Sequence, residues 1–260
     1  MAIVLKKKRE LELMREANRI VVVVWEAMAD MVAPGVSTKQ LDEVAEKIIR
    51  QHSAVPSFLG YPHRGVNDFP ASICASINQE IVHGIPSPER VLEEGDIISI
   101  DVGTIYKGYQ GDGAITLPVG QISEQAQKLL DVTQKALDLC IAQAWPGNRT
   151  GDISRAVETY AKSNGYQVVR EYTGHGIGKA MHEDPQVPNY YDPKMRDHLL
   201  KPGMTLALEP MVNAGTWRTR VLNDGWTVET ADGELSAHFE HTIAITDGEP
   251  EVLTRLSRTS

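Results

Sequence analysis

The strongest constraint on the fold is a pattern that the chain repeats at a spacing of 112 residues. In each half, a helix with apolar residues at helical intervals ends at a Pro-Gly pair, first at Pro34–Gly35 and again at Pro146–Gly147. A second amphipathic helix follows, with Ser37 or Thr38 as its capping residue in the first half and Thr150 at its start in the second. This self-similarity indicates two related halves, although Pro-Gly helix stops are common enough to match by chance.

Each helix pair is followed by segments rich in β-branched residues, which predict strands. The predicted strands span residues 96–105, 108–119, 204–212 and 238–246. Two such halves sharing one sheet give an α+β fold with helices on one face, and a functional site at their junction is expected.

We interpret residues 1–260 as one catalytic domain, with halves at about 9–120 and 121–250 and a short basic N-terminal arm at 1–8. The arm carries three consecutive lysines, Lys6-Lys7-Lys8. We expect it to be a solvated segment that is able to contact an acidic partner.

The composition excludes several classes of protein. With 42% hydrophobic and 23% charged residues, the chain resembles soluble globular proteins, and its formal net charge of −9 argues against a general affinity for nucleic acid. The longest apolar run, Ile20–Trp25, is too short to span a membrane, and two cysteines cannot form a disulfide framework. Because the lysines of the arm follow an apolar stretch instead of preceding one, we expect no signal peptide and a cytoplasmic location.

Two aspartates flank the first predicted hairpin. A two-residue turn at Tyr106–Lys107 pairs Asp101 directly with Asp112, with Cβ atoms about 5 Å apart; a bulge at Gly108 would shift this pairing by one residue. Like charges at that distance destabilise a ladder unless they share a proton or a cation. Taken alone, either aspartate could instead be a solvated residue at the end of a strand.

A histidine lies in a glycine-rich segment further along the chain. Residues 173–178 place His175 among glycines that allow the backbone to approach a ligand. The glycine spacing is not that of a dinucleotide-binding loop. His175 is therefore a candidate metal ligand or proton donor, with a structural histidine of the core as the alternative.

Two glutamates interrupt apolar segments that are predicted to be strands, at Glu209 and Glu240. Glutamate is rare in strands and almost never fully buried without a partner, so exposure on an edge is one interpretation. Together with Asp101, Asp112 and His175, however, they complete a set of four carboxylates and one imidazole. Such a set suits two divalent cations, which polarise a carbonyl and activate water at neutral pH.

Several short motifs occur in order along nearly the whole chain: Ser76-Ile77-Asn78, His83-Gly84-Ile85-Pro86, Ile100-Asp101-Val102-Gly103, Gly111-Asp112, Thr173-Gly174-His175-Gly176-Ile177-Gly178, Leu208-Glu209-Pro210 and Phe239-Glu240-His241-Thr242. In this combination the chain resembles the type I methionine aminopeptidases. The resemblance implies the pita-bread fold, in which two pseudosymmetric αβ halves surround a curved antiparallel sheet with helices on its outer face. It also implies co-translational removal of the initiator methionine from nascent polypeptides with a small second residue.

The resemblance implies a role for each member of the metal set. Asp101 would chelate one metal, while Asp112 and Glu240 would bridge both. His175 and Glu209 would bind on the side of the second metal, and Glu209 would also shuttle a proton during hydrolysis of the first peptide bond. The two ions could be cobalt, manganese, iron(II) or zinc, since hard oxygen ligands and one imidazole admit all four.

The resemblance also implies residues that contact the substrate. His83 and His182 would lie near the scissile amide, where His182 would orient or polarise it. The methionine side chain would bind against an aromatic and sulfur-containing lining, which suits a thioether and is formed by Phe58, Tyr61, Phe69, Cys74, Met181 and Trp226. Packing in the core is the alternative role for these six residues.

This chain departs from the family pattern at two places, and the resemblance implies one further ion. Met181 stands where relatives often have phenylalanine, and the stretch 61–69 is longer than in compact relatives, so both affect the shape of the pocket. A monovalent cation near Asn78 and Ser236 is implied. We expect a monomer without membrane association, with Lys6-Lys7-Lys8 as the candidate contact with the ribosome.

Two rival functions remain open on the sequence. A proline-specific pita-bread peptidase usually carries an additional N-terminal domain, which we do not expect because the first helix begins by about residue 9. A metal-free pita-bread binding protein would have no need of the five awkward polar residues of the metal set.

Overall fold

The computed structural model describes residues 3–63 and 65–255. Within these ranges the helices are α1 Lys8–Met31, α2 Thr38–Gln51, α3 Glu124–Ile141 and α4 Thr150–Ser163. The strands of the same ranges are β1 Val55–Pro56, β2 Ile73–Ile77, β3 Glu80–Val82, β4 Ile97–Tyr106, β5 Tyr109–Pro118, β6 Gln167–Val168, β7 Thr173–Gly176, β8 Glu183–Pro188, β9 Thr205–Leu208, β10 Met211–Asn213, β11 Thr219–Val221, β12 Val228–Thr230, β13 Ser236–His238, β14 His241–Ala244 and β15 Glu251–Val252.

The architecture is α+β, with the predicted pair of helices in each half. Within residues 3–63 and 65–255, the strands form four antiparallel sheets, with orders β1-β4-β2 (β5 also pairs with β4), β13-β10-β6, β11-β12-β3 and β15-β14-β9-β7-β8. One buried cluster joins α1 and α2 to β2 and β4, and another joins α3 and α4 to β9, β10, β13 and β14. Each helix pair therefore covers the strands of its own half, since burying its apolar stripe requires a partner layer.

The two helix pairs are held by equivalent backbone contacts. Gly35 adopts a φ of 89° and donates to the carbonyl of Leu92, and Gly147 adopts a φ of 95° and donates to the carbonyl of Leu200. Isolated bridges join Ser37 to Val91 and Arg149 to Leu199 at matching points of the two halves. Glycine is needed at both stops because other residues rarely adopt such φ values. The exact limits of the halves, 9–120 and 121–250, stay a prediction.

The halves meet along β5. The Glu240 amide donates to the carbonyl of Ala114 at 2.8 Å, and the Thr242 hydroxyl donates to the carbonyl of Asp112 at 2.7 Å. The Thr116 hydroxyl reaches the carbonyl of His238 at 2.7 Å. These bonds between distant segments bring the carboxylates of the first half against those of the second.

The predicted register of the first hairpin was wrong. The turn lies at Lys107–Gly108, so that Asp101 pairs with Ala114 and Gly103 pairs with Asp112. Lys107 and Gly108 both adopt positive φ values, 48° and 81°, which fits the tight hairpin turns that need left-handed backbone at both central residues. The aspartates are therefore diagonal neighbours on one face of the ladder.

Both glutamates were predicted to lie within strands, and this prediction was wrong. Glu209 lies between β9 and β10, where Pro210 cannot donate to a ladder, and Glu240 lies between β13 and β14. In both places the chain leaves one sheet and enters another. Because neither glutamate belongs to a strand, the alternation of side chains between the two faces of a sheet does not fix the direction of its side chain.

The N-terminal arm is not a uniformly solvated segment. Lys7 and Lys8 are exposed, but Lys6 is only 8% exposed, and its amide donates to the carbonyl of Gly203. The prediction of three solvated lysines was therefore wrong for Lys6. Across the described residues, no helix combines the length and apolarity needed to span a bilayer.

Candidate active site

A cavity of about 230 Å³ opens between the two halves. All residues that the sequence singled out as metal ligands, catalytic groups or pocket residues line this one cavity: Phe58, Tyr61, Phe69, Cys74, His83, Asp101, Asp112, His175, Met181, His182, Glu209, Trp226 and Glu240. The lining also includes residues that sequence reasoning missed, namely His63, Val82, Tyr172, Thr173 and His238.

The carboxylates and the imidazole of the predicted metal set converge at the base of the cavity. One ligand atom each from Asp112, His175 and Glu240 can be chosen so that all three lie within 4.8 Å of one another. His175 Nε2 lies 3.5 Å from Glu209 Oε1 and 3.7 Å from Asp112 Oδ2. Asp101 reaches the same base from β4, diagonal to Asp112.

Burial controls the protonation of these carboxylates. Desolvation raises the pKa of Asp101 to about 7. Desolvation, and then the charge of Asp101, raises the pKa of Asp112 well above its ordinary value. The pKa values of Glu209 and Glu240 are raised in the same way, by burial first and then by the neighbouring carboxylates. Four acids packed so closely cannot all be charged without a compensating positive charge.

The imidazoles at the base are held neutral by burial. Desolvation lowers the pKa of His175 to about 3 and that of His238 to about 3. His175 Nδ1 lies 2.9 Å from the carbonyl oxygen of Gly176, which suits an Nδ1–H donor and leaves Nε2 with a free lone pair toward the carboxylates. A neutral imidazole oriented in this way is the form that binds a metal.

The residues fit divalent cations. Four side-chain atoms at the base are buried and have no hydrogen-bond partner among the described residues: Asp101 Oδ1, Asp112 Oδ1, His238 Nε2 and Glu240 Oε1. Leaving a buried polar atom unsatisfied is costly, so a cluster of such atoms requires an explanation. Hard oxygen donors with one or two imidazoles are the donor chemistry of divalent first-row ions, and their charge would offset the repulsion between the acids.

An aromatic wall closes one side of the cavity. Trp226 lies 5.1 Å from Phe69 and 6.1 Å from His83, measured between ring centroids. Its indole N–H donates to the carbonyl of Asn67 at 2.8 Å, which ties the 61–69 stretch to the wall. Burial raises the pKa of the Cys74 thiol, so this side chain stays neutral and adds sulfur to the lining.

Met181 lines the same cavity but belongs to a different cluster from Phe69 and Cys74. It is buried and packs in a cluster with Met14, Tyr109 and Ile177, against which Phe58 and Tyr61 also pack. The stretch 61–69 closes on itself through the Phe69 amide, which donates to the carbonyl of Tyr61 at 3.0 Å. Both ends of this loop line the cavity, while residues 62, 63 and 65–68 are exposed.

Contacts with two neighbouring side chains hold the ring of His182 in the cavity. The Tyr61 hydroxyl lies 2.8 Å from His182 Nδ1. The ring of His182 also contacts the ring of His175, with centroids 4.4 Å apart. Burial lowers the pKa of His182. Its Nδ1 is thus occupied, and the orientation of its ring is set by Tyr61.

His83 occupies an unusual backbone conformation. Its φ of 60° lies in the left-handed region that non-glycine residues rarely adopt. Its ring stands edge-on to Tyr172, with centroids 5.6 Å apart. Burial lowers the pKa of His83 to about 4, with the charges of His182 and His63 as smaller causes. Strained backbone of this kind is common where a side chain must be directed into a site.

His238 is the main residue that sequence reasoning missed. Its Nε2 lies 3.8 Å from Glu209 Oε2 and 4.0 Å from Glu240 Oε2. The period of two along a strand could have identified it, because residues 238 and 240 fall on one face of an extended segment.

The predicted monovalent site near Asn78 and Ser236 lies elsewhere, where the Ser236 amide donates to the carbonyl of Asn78 at 2.9 Å.

Comparison with known proteins identifies the family. The family model described as "Metallopeptidase family M24" matches residues 12–247. Methionine aminopeptidase 1 of Bacillus subtilis is 52% identical over 254 residues, which cover 98% of this chain and 100% of the relative. The chain belongs to the methionine aminopeptidases of metallopeptidase family M24. It is therefore a metallo-aminopeptidase, as the motifs indicated.

Solved structures agree with this assignment. The crystal structure of methionine aminopeptidase from Thermotoga maritima matches with a TM-score of 0.93 at 41% identity, covering 98% of this chain and 100% of that one. Xaa-Pro dipeptidase from Bacillus anthracis matches with a TM-score of 0.76 at 24% identity, covering 97% of this chain and 62% of that one. The likeness to Xaa-Pro dipeptidase shows the fold alone. The methionine aminopeptidase of Thermotoga maritima shares both the pita-bread fold and much of the sequence with this chain.

Proposed function

We propose that the chain removes the initiator methionine from nascent polypeptides by metal-dependent hydrolysis of the first peptide bond. The observation that carries the proposal is the buried cluster of carboxylates and imidazoles at the base of a cavity with an aromatic and sulfur-containing lining. The high identity to methionine aminopeptidases over nearly the full chain supports the same reaction.

In this proposal, two divalent cations would be held by Asp101, Asp112, His175, Glu209 and Glu240. When bound, the metal pair supplies Lewis acidity toward the substrate carbonyl and lowers the pKa of the attacking water. The donor set admits manganese, iron(II), cobalt and zinc, so availability decides which ion is bound.

The protein's own groups position the substrate and move the protons. The methionine side chain packs against Cys74, Met181 and the aromatic wall, where sulfur and aromatic groups favour a thioether. His83 and His182 line the same cavity and would contact the scissile amide through their imidazoles. The base of the cavity is buried, which strengthens each of these polar contacts relative to water.

Glu209 is the proposed proton shuttle. Burial, and then the charges of Asp112 and Asp101, raise the pKa of Glu209, which makes it a better proton acceptor than an exposed carboxylate. The oxygen of water adds to the carbonyl carbon, Glu209 takes the proton that water releases and passes it to the nitrogen of the leaving amine, and the C–N bond breaks. The products are methionine and a peptide with a new α-amine.

The alternatives are less well supported. A proline-specific peptidase is favoured by structural likeness alone, at 24% identity or less to the prolidase-like structures. A metal-free binding protein leaves the unsatisfied polar atoms at the base of the cavity without a function.

Peptide hydrolysis with controlled metals tests the proposal. The metal-stripped chain is supplied anaerobically with manganese, iron(II), cobalt or zinc, and release of the first residue is measured from Met-Ala-Ser, Met-Lys-Ser, Pro-Ala-Ser and Ala-Pro-Ser. We expect metal-dependent release from Met-Ala-Ser, with little from Met-Lys-Ser. Activity confined to the proline peptides, or none with any metal, contradicts it. Glu209→Gln is the matched inactive control, because it keeps the shape of the side chain.

The remaining expectations concern the oligomeric state, location, partner and second ion of the enzyme. We propose a monomer in the cytoplasm that acts beside the ribosome, with the exposed Lys7 and Lys8 as candidate contacts and Lys6 removed from that set by its burial. A monovalent cation near Asn78 and Ser236 also stays a prediction.

A further inference from the structure

The N-terminal arm contacts the segment that carries His182. The Nζ atom of Lys6 lies 2.6 Å from Glu183 Oε2, and the side chains are only 3% and 14% exposed. Lys6 also donates from Nζ to the carbonyl of Val4 at 3.2 Å. A lysine is rarely buried unless its charge is paired, so this contact is specific to the folded arrangement.

The second oxygen of Glu183 closes the same segment. Glu183 Oε1 accepts from the amide of Lys179 at 2.9 Å and from that of Ala180 at 3.3 Å. One carboxylate therefore joins the arm, through Lys6, to the backbone of the turn between β7 and β8. His182 directly precedes Glu183 in the chain, and Met181 precedes His182.

The packing around the ion pair leaves little freedom. A Cβ atom at Gly178 would lie 2.5 Å from Glu183 Oε1 and 2.5 Å from Lys6 Cε, so the lysine stem fills the space beside this glycine. On the other side, the Gln110 amide donates to the carbonyl of Gly178 at 2.8 Å. The turn is thus held between β5 and the arm.

We propose that Lys6 is a positioning residue for the active site: through Glu183 it fixes the turn 177–182 and so directs His182 and Met181 into the cavity. The inference rests on the proposed function for its catalytic readout. Lys6 contacts neither the proposed metal ligands nor the cavity, so its effect travels through the turn. Small displacements of a substrate-contacting group are enough to lower turnover strongly.

The test uses the full chain loaded with metal. Lys6→Met keeps the length of the stem and removes the charge, and Lys135→Met, at an exposed position of α3, is the matched control. We expect Lys6→Met to lower kcat on Met-Ala-Ser by about tenfold to a hundredfold, with a much smaller change in KM and an unchanged affinity for manganese in calorimetry. Wild-type kcat in Lys6→Met overturns the proposal, and so does a loss that Lys135→Met shares.

Hydrogen exchange of the metal-free chain gives a readout that needs no activity. We expect the amides of Lys179 and Ala180 to exchange at least about tenfold faster in Lys6→Met, while those of α2 stay unchanged. Faster exchange confined to residues 3–8 would show a merely structural arm and overturn the proposal. If the unsubstituted chain released no methionine with any metal, the proposed function would fail, whereas this exchange measurement would still decide the role of Lys6 in holding the turn.

A second variant, at the other member of the ion pair, distinguishes loss of the contact from misfolding of Lys6→Met. Glu183→Gln keeps an oxygen for the two amides but removes the charge that Lys6 pairs with, so it should reproduce the loss of kcat. If the two side chains act as one unit, the double variant is no worse than the more affected single variant. Additive losses in this cycle contradict a shared action.

Discussion

Asp101 and Asp112 lie diagonally across the β4–β5 ladder, because Asp101 pairs with Ala114 while Asp112 pairs with Gly103. The diagonal keeps both side chains on one face, yet separates them more than a direct pairing would. Opposite Asp112, the ring of Phe58 fills the space that a side chain at position 103 would take, since a Cβ atom at Gly103 would lie 2.6 Å from Phe58 Cε1. Carboxylates spaced in this way can enclose ions instead of only sharing a proton.

We expect Asp112→Asn to abolish metal binding at the cluster while the protein stays folded. Asparagine keeps the shape of the side chain but loses the charge that a bridging ligand contributes. Loss of outer-shell partners alone costs about 10- to 100-fold in metal affinity, and a ligand should cost at least that. Calorimetric titration with manganese measures the affinity, and kcat on Met-Ala-Ser should fall in parallel.

Asp131→Asn, on the exposed face of α3, is the control for this substitution. The metal-free Asp112→Asn protein should also unfold at an equal or higher temperature than the unsubstituted chain, because one charge has left a buried acidic cluster. Near-normal turnover in Asp112→Asn would refute the bridging role.

We expect the Asp101 carboxyl to reduce the stability of the metal-free protein as the pH rises from about 4 to about 7, whereas the buried His83, His175 and His238 contribute in the opposite direction because burial lowers their pKa values. Burial raises the pKa of Asp101 from 3.8 to about 7, so the folded state holds a proton that the unfolded state has released. Stability from this group is present below pH 4 and is lost as the pH rises through 7, by up to about 4 kcal/mol. Urea unfolding of the chelated protein at several pH values measures the free energy of unfolding.

Asp101→Asn isolates that contribution. Between pH 4 and pH 7 the metal-free variant should lose less free energy of unfolding than the unsubstituted chain does. Divalent metal should offset the loss in the unsubstituted chain and have a weaker effect on the variant. Parallel pH profiles for the two metal-free proteins would show that Asp101 is not the group responsible.

We expect Tyr61→Phe to lower kcat by about tenfold and to change KM little. The substitution removes the hydroxyl that lies 2.8 Å from His182 Nδ1, while the ring that packs beside Phe58 and Met181 stays. A loss of about one hydrogen bond to a positioned group corresponds to about 1 kcal/mol, or roughly a fivefold to tenfold effect. Steady-state kinetics on Met-Ala-Ser measures both constants, with Tyr160→Phe on α4 as the control. A higher KM at constant kcat would assign Tyr61 to the binding of methionine instead.

We expect Gly111→Ala to destabilise the protein by about 1 to 3 kcal/mol. A Cβ atom at this position would lie 2.6 Å from the carbonyl carbon of Ala17, so β5 could not approach the backbone of α1 as it does. The next residue is Asp112, and the displacement should weaken metal binding as well. Thermal unfolding with and without manganese measures both effects. An unchanged transition would show that α1 can yield without cost.

Local patterns in the sequence were sufficient for the helices and their stops. α2 begins after Ser37 and α4 begins at Thr150, because side-chain caps and Pro-Gly stops act over only a few residues. The sequence did not determine where Glu209 and Glu240 lie. Pro210 was a local signal against a continuous strand at Glu209, because proline is depleted in strands, whereas strand propensity carries no signal for the passage of the chain between sheets at Glu240.

The sequence by itself determined the kinds of group available: four carboxylates, one histidine among glycines, and aromatic and sulfur-containing side chains in a recognisable order. Only the tertiary structure decided how they meet. It placed His238 against Glu209, shifted the register of Asp101 and Asp112, and buried Lys6 on Glu183. The physical reason for the contacts of Lys6 with Glu183 and of Glu209 with His238 is distance along the chain: they join segments that are far apart in sequence, so no local pattern encodes them. The register of Asp101 and Asp112 follows instead from the backbone of the turn at Lys107–Gly108.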